Sequence, residues 1–243
     1  MPATFLFITP DESLGDTLMI GGARAHHLAR VRRVAAGEQL RAVLPDGRVL
    51  RAEVMKVTAS AVTARILAEE PPAGVSPCRI TLCQAVLKGE KMELVVQKAS
   101  ELGAHALAPL FAARSVPRWT AAQARERAER WSRIAEASAE QCERSIPLRV
   151  LPPAPLPGPP PEGLALLLHE REGHALPEIA AAHPRLDAVT LYVGPEGGWT
   201  DEEAALLRAA GARPIHLGGR VLRAETASIA AVTLAQYLWG DLA

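Results

Sequence analysis

The sequence predicts an α/β protein in two parts, a small β-rich N-terminal unit over residues 1–72 and a larger domain over residues 73–243 built on a mostly parallel sheet. Three observations predict it. Before Glu69, short runs alternate apolar and polar residues, the pattern of half-buried strands. After Pro77, apolar strand-like runs alternate with segments of helical periodicity, which requires crossover connections and a parallel sheet. Between them EEPPAGVSP, residues 69–77, is a turn-rich break whose three prolines remove backbone donors and fix φ.

The elements follow in order. TFLFI (4–8), QLRAVL (39–44), VLRAEVMKV (49–57) and AVTARIL (61–67) read as strands, with Pro45-Asp46-Gly47 as a turn. The basic stretch 24–33 reads as a short helix, so the unit is a small β-barrel with one helix. In the larger domain CRITLCQAV (78–86) is a buried strand. The following helix carries Met92, Val95, Val96, Ala99 and Leu102 on one face, with Gly103 as its stop. HALAPLF (105–111), GLALLLH (163–169), AVTLYVG (188–194) and PIHLG (214–218) are further strands; 121–142, 201–210 and 224–239 are helices. LPPAPLPGPPP (151–161), with seven prolines, reads as a stiff surface loop within one domain, the alternative being a linker.

Composition narrows the class. Of 243 residues 49% are hydrophobic and 22% charged, a soluble globular balance. No apolar run approaches the roughly 18–20 residues of a membrane span. The opening MPATFLFITPDE lacks the basic and long apolar regions of a signal peptide. The three cysteines show no CxxC spacing and the seven histidines are scattered, so neither a metal site nor a disulfide framework is expected, and a reducing cytoplasm is. The formal net charge is zero, but a phosphate backbone responds to the local field. RAHHLARVRR (24–33) holds four Arg and two His with no acid. A second region holds Arg114, Arg118, Arg125, Arg127 and Arg130, diluted by Glu126 and Glu129. Arginine suits forked phosphate contacts and base stacking. Arg24, His27, Arg30, Arg32, Arg33 and Arg114 are therefore candidate nucleic-acid contacts, the alternative being solvated helix faces.

The chemistry concentrates near the C-terminus. GPEGGWTDEE (194–203) follows a strand directly, and its glycines permit a sharp turn and close ligand approach. Thr200 and Glu203 form a capping box, so a helix starts there. Neither GxxxxGK[ST] nor GxGxxG is present, and Glu196 inside the turn disfavours a pyrophosphate. A second strand runs into HLGGRVLRAETA (216–227), which carries Gly218, Arg220, Arg223, Glu225 and Thr226. These strand ends, together with Leu168-His169-Glu170, can line one pocket.

GPEGGWTDEE followed by LGGRVLRAETA closely resembles the signature of the RsmE-type 16S ribosomal RNA uridine N3-methyltransferases, a family of the SPOUT class. KMELVVQKASELGA, APLFAARSV and Glu140-Gln141 with Arg144 resemble the family's middle section, and HHLARVRRVAAGEQL with the PDG turn its PUA-like RNA-binding barrel. Val31-Arg32-Arg33 stands where the family shows Val-Leu-Arg, and Ala224 where it shows Thr. The resemblance implies a C-terminal trefoil knot, a rare exception to unthreaded topology. It implies S-adenosylmethionine as cofactor, with adenine held near Leu168, Gly194, Leu217 and Leu222. The wider cofactor set is His169, Glu170, Glu196, Gly197, Gly198, Gly218, Thr226 and Ala227. It further implies a cytoplasmic homodimer acting on 16S ribosomal RNA or the small ribosomal subunit, without membrane or metal. Uridine N3 must lose a proton or be stabilised as an anion. Arg223 is the candidate for opposing negative charge, and Glu196 or Glu225 is either the base or the group orienting Arg223. The other readings are methylation of a different RNA position and a non-catalytic RNA-binding assembly factor.

Overall fold

The computed structural model describes residues 4–115, 119–170 and 172–242. Arg118 of the second basic region lies outside them. The chain divides into two compact units, Met1–Val75 with Ala139–Ile146, and Ser76–Ser138 with Pro147–Ala243.

The first unit is a six-stranded sheet. Its strands are β1 (Thr4–Phe7), β2 (Ser13–Leu14), β3 (Thr17–Gly21), β4 (Gln39–Val43), β5 (Val49–Val57) and β6 (Ala61–Glu70), ordered β1-β4-β5-β6-β3-β2. The β1–β4 pair is parallel and the others antiparallel. The expected turn closes β4 onto β5, with Leu44 N–H donating to Arg48 O at 3.0 Å and the Asp46 carboxylate accepting the Arg48 N–H at 3.1 Å. Leu18, Ile20, Leu40, Ala52, Val54 and Val62 fill the core on the inward face of alternating strands. Sequence reasoning missed β2 and β3, which are two and five residues long and offer too few alternations to stand out. The basic helix begins two residues early, as α1 (Gly22–His26), and widens into a π-helical turn over His27–Arg32 that ends on Arg33 in the left-handed region. Ala25 and Leu28 anchor it, leaving His26, His27, Arg30 and Arg32 exposed, while Arg24 is half-buried against Glu12.

Residues 139–146 belong to this unit, although the sequence boundary places them in the C-terminal domain. Hydrogen bonds explain the difference. Glu140 Oε1 accepts the Phe7 N–H at 3.0 Å, and the Ser145 N–H donates to Ala73 O at 2.9 Å.

The second unit is an eight-stranded sheet whose recorded pairs are all parallel. Its strands are β7 (Arg79–Ala85), β8 (Ala106–Phe111), β9 (Arg149–Val150), β10 (Ala154–Pro155), β11 (Leu164–Leu168), β12 (His174–Ala175), β13 (Ala188–Val193) and β14 (Arg213–His216). The order is β10-β8-β7-β13-β11-β14-β12, with β9 beside β8. Its helices are α2 (Lys91–Glu101), α3 (Ala121–Gln141, whose last residues join the first unit), α4 (Leu176–Ala182), α5 (Asp201–Ala209) and α6 (Ala224–Trp239). Alternation along β13 sorts the layers: Val189, Leu191 and Val193 pack in the cluster with α2, α3, α4 and α6, whereas Tyr192 packs in the cluster with α5. The proline-rich loop carries β10, an edge strand in which Pro155 is tolerated, so the segment is part of this unit. β11 lies between β13 and β14, so the chain from β13 to β14 crosses over it.

Candidate active site

Parallel strands end along one edge, and ligands of α/β sheets bind at such carboxyl ends. Here the ends of β13, β11 and β14, neighbours in the sheet, open onto a cavity of about 520 Å³. The size suits a nucleoside-sized ligand.

The first wall is the Gly194–Trp199 loop. Its exit is fixed by the capping box the sequence predicts: Thr200 Oγ1 accepts the Glu203 N–H at 3.2 Å, and Glu203 Oε2 accepts the Thr200 N–H at 2.9 Å. The other Glu203 oxygen accepts the Ala113 N–H at 2.6 Å, joining the segment after β8 to the start of α5. Arg114, a candidate RNA contact from the sequence, donates to the carbonyls of Gly197 and Trp199 at 2.8 and 3.2 Å. It lines this cavity. Two glycines suit this packing. A Cβ at Gly197 would stand 3.2 Å from the Arg114 side chain, and Gly198 has φ +70° with Glu170 Oε1 3.3 Å from the position of a Cβ.

The second wall is Leu168-His169-Glu170 at the end of β11, where the His169 N–H donates to Ile215 O at 2.9 Å. The third is the loop leading into α6. Leu217, Leu222, Arg223 and Ala227 line the cavity as the sequence expects; Gly218, Glu225 and Thr226 do not. Helical spacing explains this: Arg223, Ala224 and Ala227 share a face, and 225 and 226 turn away from it. Gly218 serves as a turn, at φ +99°.

Arg220, named in the second motif, lines the cavity, whereas sequence reasoning missed Lys88, Lys91 and Trp199 on its wall. Lys91 opens α2 and lies 3.2 Å from Glu196 Oε1 and 3.3 Å from Glu225 Oε2. Partial burial pushes the Glu225 carboxyl up. Its own backbone amide, Lys91 and Arg223 outweigh this and hold it below the usual carboxylate range. Burial works against the charge on Lys91, but Glu196 and Glu225 raise its pKa above the ordinary value.

Beneath the cavity, buried Gln84 at the end of β7 donates from Nε2 to Ala85 O at 2.9 Å and to Gly194 O at 3.3 Å, and its Oε1 accepts from Ser228 of α6. Ser228 also donates to Ala224 O at 2.9 Å.

The donor set fits an adenosine-type cofactor. Leu168, Val193, Leu217 and Leu222 supply apolar surface for a base, exposed main chain supplies polar contacts, and the buried Trp199 Nε1 has no protein partner. The barrel residues Arg24, His27 and Arg32 line a second hollow, of about 260 Å³, where Arg24 pairs with Glu12. Arg30 and Arg33 lie on the same short basic helix and its end. Among the described residues no helix is long and apolar enough to cross a membrane, and no cluster of His, Cys, Asp or Glu could hold a metal.

Residues 75–236 match the model of an RNA methyltransferase domain and residues 20–67 that of an RNA methyltransferase PUA domain. The chain is 34% identical over 245 residues to ribosomal RNA small subunit methyltransferase E of Mycobacterium tuberculosis, covering 96% of this chain and 90% of that one. It is similar to the crystal structure of the Neisseria gonorrhoeae protein of that name bound to S-adenosylmethionine, with a TM-score of 0.88, 31% identity and coverage of 99% and 100%. A Legionella pneumophila structure in complex with the same cofactor matches with a TM-score of 0.87 and 31% identity, over 100% of both chains.

Proposed function

Since the chain belongs to the ribosomal RNA small subunit methyltransferase E family, we propose that it methylates N3 of a specific uridine in 16S ribosomal RNA, using S-adenosylmethionine held at the carboxyl ends of β13, β11 and β14. The carrying observation is the cavity itself, whose apolar and main-chain walls converge with Arg223 and Arg220. Bound there, S-adenosylmethionine supplies a methyl group on a sulfonium, already a strong electrophile. Leu168, Gly194, Leu217 and Leu222 hold the adenine, His169, Glu170, Gly197, Gly198 and Ala227 enclose the remainder, and Arg114 fixes the Gly197 carbonyl.

The protein's work is then alignment and electrostatics. Arg223, at the N-cap of α6, opposes negative charge on the substrate base. Glu196 and Glu225, joined through Lys91, stand beside it. The target base must leave its stack, which costs a few kcal/mol. Arg24, His27, Arg30, Arg32 and Arg33 offset this by phosphate contacts along the barrel's basic helix. The crossing of β11 by the β13–β14 connection supports a knotted C-terminus. The exposed Leu234 and Tyr237 on α6 support a homodimer.

The test is incubation with labelled S-adenosylmethionine and small subunits lacking modification, followed by identification of the methylated nucleoside by mass. N3-methyluridine at one site supports the proposal. Another nucleoside overturns the substrate, and no transfer with no cofactor binding leaves an RNA-binding module.

A further inference from the structure

Lys91 brings together segments far apart in the chain. It opens α2, Glu196 comes from the loop after β13, and Glu225 from the first turn of α6. One ammonium spans both acids, at 3.2 and 3.3 Å, and the Lys88 N–H donates to the same Glu196 oxygen at 3.4 Å. The three side chains are largely shielded, at 29%, 23% and 13% exposure for Lys91, Glu196 and Glu225.

We propose that Lys91 is a positioning residue that ties Glu196 to Glu225 and withholds both carboxylates from proton transfer, so that the substrate base loses its N–H proton to water under the influence of the cavity's cations. The inference rests on the reading of this cavity as an RNA base methyltransferase site and decides between the two roles open to the acids. A carboxylate already paired with an ammonium is a poor proton acceptor, and Glu225 sits below its ordinary range for that reason among others. The groups facing the trio favour an anion. Lys88 lies beside Lys91, and Arg223 precedes Glu225. Across the cavity Arg220 and Arg114 outnumber Glu170. The proton leaves N3 for water, its electron pair stays on the base, and the resulting charge spreads onto O2 and O4. Fixed cations nearby lower the cost of that charge without any protein group taking the proton.

The experiment measures kcat for methyl transfer to unmodified small subunits, at saturating cofactor, from mildly acidic to alkaline pH. The wild type should show one rising limb, set by the substrate N–H, and none in the carboxylate range. Lys91→Met leaves Glu196 unmatched on the cavity wall and Glu225 unmatched behind it, so the limb should move up by about one pH unit and the neutral-pH rate fall about tenfold. Lys91→Arg should restore both. Glu196→Gln, which removes negative charge, should move the limb to lower pH; loss of a true general base would instead lower kcat about a hundredfold or more. An unmoved limb in Lys91→Met, or that general-base loss in Glu196→Gln or Glu225→Gln, overturns the inference and leaves the methyltransferase reading standing. A wild type that transfers no methyl group to any base overturns both.

Discussion

At Arg223 the backbone is extended, with φ −63° and ψ 150°, and the next residue starts α6. The guanidinium is thus carried by a helix N-cap and not by a mobile loop. Arg223→Ala should lower kcat by about a hundredfold to a thousandfold with a smaller effect on cofactor affinity, measured by transfer kinetics and calorimetry. An equal loss in both would mean that Arg223 serves binding alone. In the barrel, Glu12 makes a separate prediction. Burial pushes its carboxyl up, but the Thr9 amide and Arg24 outweigh this and hold it below the usual range. A carboxyl depressed in the folded state adds stability above its unfolded pKa and loses it as pH falls through the folded value. Glu12→Gln should therefore destabilise the protein by about 1–3 kcal/mol at neutral pH and by much less in strong acid, read from denaturant midpoints. At this scale the sequence exposed Gly194, Gly197, Gly198, Glu196 and Arg223 of the cavity wall, which sit in two dense motifs. It hid Lys91 and the tie from Arg114 to the Gly197 carbonyl, because such partners are fixed only by the fold.

At the scale of elements, two small devices hold the site. Thr200 caps α5, and Glu203 returns the bond while also holding Ala113. Thr200→Ala should cost about 1 kcal/mol in thermal unfolding. Gln84 joins β7, the end of β13 and α6 through Ser228. Ser228→Ala strands a buried amide oxygen and should cost about 1–3 kcal/mol. It should also weaken cofactor binding through the Gly194 carbonyl, whereas an undiminished affinity would show the tie to be purely structural. Most strands and helices were legible because their apolar spacing is long and regular, as in α2, α6 and β13. β9, β10 and β12 were not, being two residues each and defined by their neighbours' edges. Nor was α4, a seven-residue helix with Pro177 in its first turn and little periodicity to show.

For the whole molecule, alternation and the proline break disclosed two units, but not the return of residues 139–146 to the first. That return depends on hydrogen bonds to Phe7 and Ala73, for which no local pattern codes. α6 exposes Leu234 and Tyr237 with no charged residue after Glu225. Tyr237→Glu should convert a dimer to monomers by sedimentation; an unaltered mass would place the interface elsewhere.

The crossing of β11 by the chain from β13 to β14 has a temporal meaning. Every wall of the cavity except those from Lys88, Lys91 and Arg114 is made by residues after position 167, and the last contributor is Ala227. A chain emerging from a ribosome holds most of its hydrophobic sheet before it holds any of the third wall. Cofactor can therefore reward only the finished fold, and a chain stalled before α6 gains nothing from it. The pocket is complete only when the start of α6 has joined the strands laid down before it.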